Sequence, residues 1–278
     1  MIPSNKTSII FHDLDGCLNP KDGEDFLSGD QGYLSEQQSA TLNKLGQAID
    51  NSALSHFVIN TGRGIVDTHF IAKKIPSEKF RYCILEHSGY AWDMHEDCRL
   101  DLCELAKEVG DQTYINKYQG MGKIAELIKW FLGEGGKKFN EEFGIQFTFL
   151  EKESNLSILT PQGLHPDKII NSLKKFIKLH FPEQDFVYCY SHAFIDVLCD
   201  IHKSDGAKLL CNYLGIDINE ALAIGDGMND LDIFSELPNL LCPNNAQTEL
   251  KELCLKNGGV VSEHSYSEAT FDLLKKIT

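Results

Sequence analysis

Two aspartates separated by one residue, Asp13 and Asp15, open the motif Asp13-Leu14-Asp15-Gly16 directly behind an apolar run at 8–12 (SIIFH). A second motif, Thr61-Gly62-Arg63, follows the run 56–60 (HFVIN). A third, Gly225-Asp226-Gly227-Met228-Asn229-Asp230, follows 221–224 (ALAI). If the three runs are strands of one parallel sheet, all three motifs emerge at its carboxyl edge, where open α/β folds bind ligands. Asp13, Asp15, Asp226 and Asp230 then bring up to four carboxylates together. Two unit charges about 4 Å apart repel by about 4 kcal/mol at an effective dielectric near 20. Such a cluster demands a bound cation, a carboxyl that keeps its proton, or both. Hard carboxylate oxygens, few in number and with room for water, favour Mg²⁺ over zinc or calcium.

Spacing within the first motif suggests a division of labour. Residues two apart in an extended segment point the same way, so Asp13 and Asp15 are expected to face one reacting centre. One ionised carboxylate can attack phosphorus and carry the phosphoryl group. The other, kept protonated by its acidic neighbour, can give a proton to the leaving oxygen and later take one from water. Phosphoryl transfer is otherwise positioning and charge neutralisation. Thr61 offers a hydroxyl, backbone N–H groups around Leu14, Gly16 and Gly62 can cradle oxygens, and Lys203 offers an ammonium at the entry to a helical pattern. Each motif alone is weak, because Asp and Gly also build turns and calcium loops. Their order, each behind a strand, is what carries the argument.

The elements that must position these groups alternate as βαβ architecture requires. Strands are expected at 8–12, 56–60, 81–86, 194–199, 221–225 and 239–242. Residues 35–49 place Leu42, Leu45, Ala48 and Ile49 on one helical face, with Ser35 as N-cap and Gln38 completing a capping box. Residues 203–214 repeat apolar Leu209, Leu210, Tyr213 and Leu214 at helical spacing. The middle of the chain has another rhythm. An amphipathic helix at 117–132 is expected to stop at the glycines of 133–136. Strands at 145–150 and 156–159, a helix at 166–180 and a strand at 186–190 come next. This predicts an α/β catalytic core, 1–89 with 188–278, and an inserted α+β unit, 90–187.

Composition excludes several classes. With 26 basic and 41 acidic residues in 278, the formal charge of −15 would repel a phosphate backbone, so nucleic acid is not an expected partner. No apolar run reaches membrane-spanning length and no secretory signal is legible. Nine cysteines without a CxxC read as free thiols in a reducing cytoplasm; His95, Cys98 and Cys103 come nearest to metal spacing.

Taken in order, DLDG, the strand ending in NTGR, a lysine opening a helix, and GDGMND resemble the four motifs of the haloacid dehalogenase superfamily. The resemblance implies a Rossmann-like core with a mostly parallel sheet. It implies Asp13 as nucleophile, Asp15 as general acid and base, and Thr61, Gly62 and Lys203 as phosphate binders. It further implies Mg²⁺ held by Asp13, the Asp15 backbone carbonyl and Asp226, with Asp230 as ligand or orienting group and Asn229 assisting. Asp15 points to the phosphatase branch, since the dehalogenase branch lacks that acid. The long segment before Lys203 resembles a C2 cap, expected to close over substrate and set specificity. Glu86-His87-Ser88-Gly89-Tyr90 resembles the turn into that cap, and Asn244-Asn245-Ala246 with Glu249-Leu250-Lys251 the C-terminal pattern. The whole is similar to Cof-type, sucrose-phosphate and mannosyl-3-phosphoglycerate phosphatases, which implies a phosphomonoesterase acting on a sugar phosphate or glycosyl phosphate conjugate. A sugar phosphomutase and a catalytically idle ligand-binding scaffold are the competing readings.

Some residues depart from the pattern or stay without a role. Cys17 replaces the commoner Thr or Val. Ser204-Asp205-Gly206 follows Lys203 where Gly is usual, which leaves Lys208 in reserve. The acidic, Gly-rich stretch 19–34 reads as a surface loop, and Arg63 as a brace for the core. His12, His87, His192 and His202 border the site without an assigned function. Lys117, Lys123, Lys137, Lys138 and Lys152 of the inserted unit read mostly as solvated charges.

Overall fold

The computed structural model describes residues 7–18, 34–191 and 194–277. The 19–34 stretch, apart from its last residue, and His192 lie outside them. The chain divides into two compact units, the described residues of Met1–Val109 with His202–Thr278, and Gly110–Ile201.

The first unit opens with β1 (Ile9–His12), α1 (Glu36–Asn51), β2 (His56–Asn60), α2 (Ile65–Ala72), β3 (Phe80–Leu85), β4 (Tyr90–Asp93), β5 (Cys98–Leu100) and α3 (Leu102–Val109). The second unit contains α4 (Gln112–Tyr118), α5 (Met121–Trp130), α6 (Gly136–Phe143), β6 (Thr148–Leu150), β7 (Asn155–Leu159), α7 (Asp167–His180), β8 (Val187–Tyr190) and β9 (Phe194–Leu198). The chain then returns to the first unit with α8 (Lys203–Leu214), β10 (Ala221–Ile224), α9 (Leu231–Glu236), β11 (Asn239–Cys242), α10 (Thr248–Lys256), β12 (Val260–Val261) and α11 (Tyr266–Leu274).

In the first unit eight strands form one sheet, in the order β12-β11-β10-β1-β2-β3-β4-β5. Pairing is parallel from β12 to β3, and β4 and β5 add antiparallel. Every residue of β1 and β10 is buried, as a parallel sheet covered on both faces requires. The register sets His12 opposite both Ile59 and Ile224, so the chain leaves β1, β2 and β10 at one edge, at Asp13, Thr61 and Gly225. The α/β core with a mostly parallel sheet is thus the observed architecture. Helix α1 carries the expected capping box: Ser35 Oγ accepts the Gln38 N–H at 3.1 Å, and Gln38 Oε1 accepts the Ser35 N–H at 2.8 Å.

The inserted unit is α+β, with an antiparallel sheet ordered β6-β7-β9-β8. Ile124, Leu127, Phe131, Leu173, Phe176 and Ile177 pack with Leu156, Ile158, Ile195 and Val197 in its core. Its compact range, Gly110–Ile201, is displaced from the expected 90–187. Two pairings account for this: β4 and β5 extend the first sheet beyond β3, and β9 pairs with β7 and β8 instead of joining the parallel sheet. The glycines at 133–136 interrupt the helix as expected: the backbone leaves helical geometry at Gly133 (φ −112°, ψ −114°), and a second helix, α6, starts at Gly136. Here glycine serves close packing: a Cβ on Gly135 would fall 2.3 Å from the Trp130 ring, and one on Gly136 2.2 Å from the Phe131 carbonyl oxygen.

Ser35→Ala removes one half of the capping box. It should lower stability by about 1 kcal/mol in urea unfolding; an unchanged midpoint would show that this cap is not needed for α1.

Candidate active site

Strand β1 ends in His12, whose ring shapes the start of the loop behind it. The buried His12 Nδ1–H donates to the Asp13 carbonyl at 2.5 Å, which leaves Nε2 to accept from the Thr270 hydroxyl at 2.6 Å. Burial holds the imidazole down at about 4, so it is neutral near pH 7 and orients backbone rather than moving protons. Asp13 is buried behind it, with Oδ1 accepting the Leu14 N–H at 2.9 Å. Gly16 turns the loop at φ +70°. A Cβ there would sit 1.9 Å from Asp226 Oδ2, so only glycine lets the loops after β1 and β10 approach this closely.

Lys203 opens α8 and is fully buried. Its Nζ lies 2.9 Å from Asp13 Oδ1 and 2.6 Å from Asp230 Oδ1. The reserve lysine, Lys208, pairs with Glu236 on the exposed side of the same helix. Asp230 Oδ2 accepts the Asp226 and Gly227 N–H groups at 3.1 and 3.2 Å, which folds the GDGMND loop back on itself. Asn229 Nδ2 reaches Asp13 Oδ2 at 3.5 Å. Cys17 packs against the same group, with Sγ 3.8 Å from Asp226 Oδ1. Outside the three motifs, Gln247 N–H donates to the Asp226 carbonyl (2.8 Å), and Asn245 Nδ2 to the Gly16 carbonyl (2.7 Å).

Carboxylate oxygens of Asp13, Asp226 and Asp230 all lie within 4.8 Å of one another. That is a buried, all-oxygen set of hard donors, and its chemistry fits a small divalent cation. The electrostatics agree. Burial, and then the neighbouring Asp230, push Asp13 well above the ordinary carboxylate range, although Lys203 pulls the other way. Burial, then Asp13 and Asp230, push Asp226 up to about 8. Burial alone would lower Lys203, but Asp13 and Asp230 more than offset it and hold the ammonium charged. One ammonium is too little positive charge for three carboxylates.

Asp15 is not among the three clustered carboxylates, although its charge acts on both Asp13 and Asp226. Both of its oxygens are taken by Arg63, with Nε to Oδ2 at 2.7 Å and Nη2 to Oδ1 at 2.6 Å. Arg63 is largely buried and forks a carboxylate at the sheet edge. Thr61 is buried beside it and accepts the Arg63 N–H on Oγ1 at 3.2 Å. The turn after β3 supports this loop from behind. Glu86, His87 and Ser88 all adopt positive φ (47°, 57° and 72°), a costly run for residues with side chains. In return, Glu86 N–H bonds the Arg63 carbonyl, His87 N–H bonds the Thr61 carbonyl, and the His87 ring packs where a Gly62 Cβ would lie.

Sequence reasoning missed the residues that seat Lys203. Asn60 Nδ2 and Ser88 Oγ both donate to the Lys203 carbonyl, at 3.0 and 3.3 Å, and Ser88 Oγ accepts the Gly206 N–H at 3.2 Å. A polar Asn closing the apolar run HFVIN was the available signal. In the inserted unit, Lys152 is largely buried and pairs with Asp196 at 3.5 Å, while Asn155 Nδ2 donates to Asp196 at 2.8 Å. His95, Cys98 and Cys103 form no metal-binding group among the described residues, and all nine cysteines are free. No helix of the described residues is long and apolar enough to cross a membrane.

A family model described as haloacid dehalogenase-like hydrolase matches residues 10–268. A putative phosphatase from Mycoplasma pneumoniae is 24% identical over 280 residues, covering 90% of this chain and 89% of its own. A phosphoglycolate phosphatase from Methanobrevibacter smithii is 25% identical over 172 residues, covering 61% of this chain and 64% of its own. Among solved structures, the sucrose-phosphatase from Synechocystis, determined with sucrose and phosphate, superposes with a TM-score of 0.61 at 15% identity and 98% coverage of both chains. A haloacid dehalogenase-like hydrolase from Bacteroides thetaiotaomicron superposes with 0.58 at 15% identity, covering 98% of this chain and 100% of that one.

The raised carboxylates fix the sign of a pH effect. Asp13 and Asp226 bind protons more tightly folded than unfolded, so their contribution to stability is present at low pH and lost as pH rises through about 8. His12 acts oppositely, but only below its unperturbed value of 6.5. Chelator-treated protein should therefore melt at progressively lower temperature from pH 6.5 to pH 8. A flat or rising midpoint in differential scanning calorimetry would contradict the cluster.

Proposed function

The chain belongs to the haloacid dehalogenase-like hydrolase family and is a phosphatase; from that premise we propose that it hydrolyses a small phosphorylated metabolite, a sugar phosphate or glycosyl phosphate conjugate, in the presence of Mg²⁺ and through a phosphoryl group carried on Asp13. One observation carries the reading: the buried Asp13 carboxylate lies 2.9 Å from the Lys203 ammonium, inside a group of three carboxylates at the carboxyl edge of a parallel sheet. The fold shared with a sucrose-phosphatase favours a sugar phosphate.

In this reading Asp13 Oδ attacks phosphorus as the bond from phosphorus to the leaving oxygen breaks, and Asp15 delivers its proton to that oxygen. Asp15 then takes a proton from water as the water oxygen bonds phosphorus, which frees Asp13 and releases inorganic phosphate. Thr61, Gly62 and Lys203 bind the phosphoryl oxygens, and Lys203 neutralises part of their charge. Asp13, the Asp15 carbonyl, Asp226 and Asp230 would hold Mg²⁺, with Asn229 supporting them; the bound ion supplies the positive charge that the cluster lacks. The inserted unit is the C2 cap of this reading and the place where specificity is set. The protein acts in the cytoplasm on a free small molecule, a view supported by its nine free thiols and its charge of −15.

Asp13→Asn should lower turnover at least about 1,000-fold while far-ultraviolet circular dichroism stays unchanged; surviving activity would overturn the nucleophile. Mg²⁺ should raise the melting temperature of chelator-treated protein more at pH 8 than at pH 6.5, because the ionised carboxylates bind it. Screening phosphorylated sugars, sugar acids and nucleotides for released inorganic phosphate tests the substrate class. An isomerised sugar phosphate in place of free phosphate would mark a phosphomutase.

A further inference from the structure

Arg63 sets a problem for acid catalysis by Asp15. Both oxygens of Asp15 accept from the guanidinium fork, so the carboxylate is held facing Arg63 and turns toward a third group only as the fork opens. Opening it has a cost of its own. The Arg63 side chain is only 21% exposed and cannot shed its charge, so losing Asp15 (46% exposed) leaves a largely buried cation without its partner. The backbone cannot relieve this by shifting. Arg63 N–H is bonded to Thr61 Oγ1 and the Arg63 carbonyl to Glu86 N–H. The flanking glycines are packed as well: a Cβ on Gly62 would meet the His87 ring at 2.6 Å, and one on Gly64 the Glu86 carboxylate at 3.0 Å. Only the side chain can swing, on a pivot fixed to Thr61. Its Nη1 makes no hydrogen bond among the described residues and remains available as a donor.

We propose that Arg63 is a positioning residue that latches Asp15 in the resting protein and exchanges it for an anionic group on the leaving part of the substrate. The preferred substrates are then phosphomonoesters with a carboxylate, or a second phosphate, close to the ester oxygen. An anion there takes over the guanidinium as Asp15 turns to the ester oxygen, so recognition and release of the acid are one event. Without that anion, release of Asp15 leaves Arg63 with only the weaker pull of the Asp67 and Asp13 carboxylates. This rests on the phosphatase reading above and deepens it: among sugar phosphates and glycosyl phosphate conjugates it selects those that carry an acid.

The test compares two esters of nearly equal size, 2-phosphoglycolate and ethyl phosphate, which differ by a carboxylate in place of a methyl group. Steady-state kinetics with Mg²⁺ are measured on wild-type protein, Arg63→Gln and Arg63→Lys. Wild-type protein should favour 2-phosphoglycolate in kcat/KM. Arg63→Gln should reduce that preference at least about tenfold, mainly by raising KM for 2-phosphoglycolate. Arg63→Lys keeps the charge but not the fork and should fall between the two; it also carries the test if Arg63→Gln does not fold. Equal losses on both esters would overturn the proposal and place Arg63 on the transferred phosphoryl group or in the scaffold. A wild-type protein that hydrolyses both esters without preference would overturn it too. Failure to hydrolyse either ester, and p-nitrophenyl phosphate besides, would instead remove the parent reading.

Discussion

The buried ammonium of Lys203 is the interaction on which the site depends. It lies between Asp13 and Asp230, within hydrogen-bonding distance of both, and all three side chains are out of solvent. A carboxylate moved from water into a protein interior loses several kcal/mol unless charge and hydrogen bonds replace its hydration. Lys203 replaces part of it for two carboxylates at once, and the Leu14, Asp226 and Gly227 N–H groups supply more. Asp226 has no ammonium within bonding distance among the described residues, and burial, then Asp13 and Asp230, push it up to about 8. The cluster is therefore short of positive charge, and a divalent cation bound there would supply it both to the carboxylates and to an arriving anionic phosphoryl group.

That arrangement dictates much of the surrounding structure. Lys203 reaches Asp13 only because α8 begins at the sheet edge, and Asn60 and Ser88 fix that beginning through its first carbonyl. Ser88 can do so because the turn after β3 tolerates three successive positive φ values. Gly16 admits Asp226, and Asn245 ties the Gly16 carbonyl to the segment after β11. Each is a local strain or an unusual residue choice. Each brings charge from separate parts of the sequence within a few ångströms of β1.

Legibility from sequence tracked the same division. Apolar runs behind Asp13, Thr61 and Gly225 were readable as strands because a parallel sheet buried on both faces requires continuous hydrophobicity, and β2, β11 and α8 begin and end where the pattern puts them. Lys203 was identifiable because it opens a helix, but the groups that seat it were not, since a single Asn or Ser carries no periodic signal. Residues 90–100 gave no sign that they extend the first sheet, because an antiparallel hairpin pattern serves either unit equally well. The run 194–199 read as a core strand for a similar reason: a buried strand of an antiparallel sheet with packed helices looks like one of a parallel sheet. The glycines at 133–136 were readable by their usual role at helix ends, and Gly133 does break the helix, but the close packing of Gly135 on Trp130 and of Gly136 on Phe131 left no sequence signal.

Asp13 and Asp15 lie two residues apart and pair with different cations. Period-two alternation puts two side chains on one side of an extended segment, but that rule holds only while the chain stays extended, and here β1 ends at His12. Beyond it the loop turns at Gly16, and each carboxylate goes to the cation that reaches it: Asp13 to the buried Lys203, the half-exposed Asp15 to the largely buried Arg63. The two cations differ in kind. An ammonium is a point charge that a neighbouring phosphoryl oxygen can share without displacing Asp13. A guanidinium fork binds both oxygens of its partner and fixes their orientation. A nucleophile must be ready before the substrate arrives, and an acid is best delivered after it. With the roles proposed for them, the pairing of ammonium with Asp13 and fork with Asp15 matches that order.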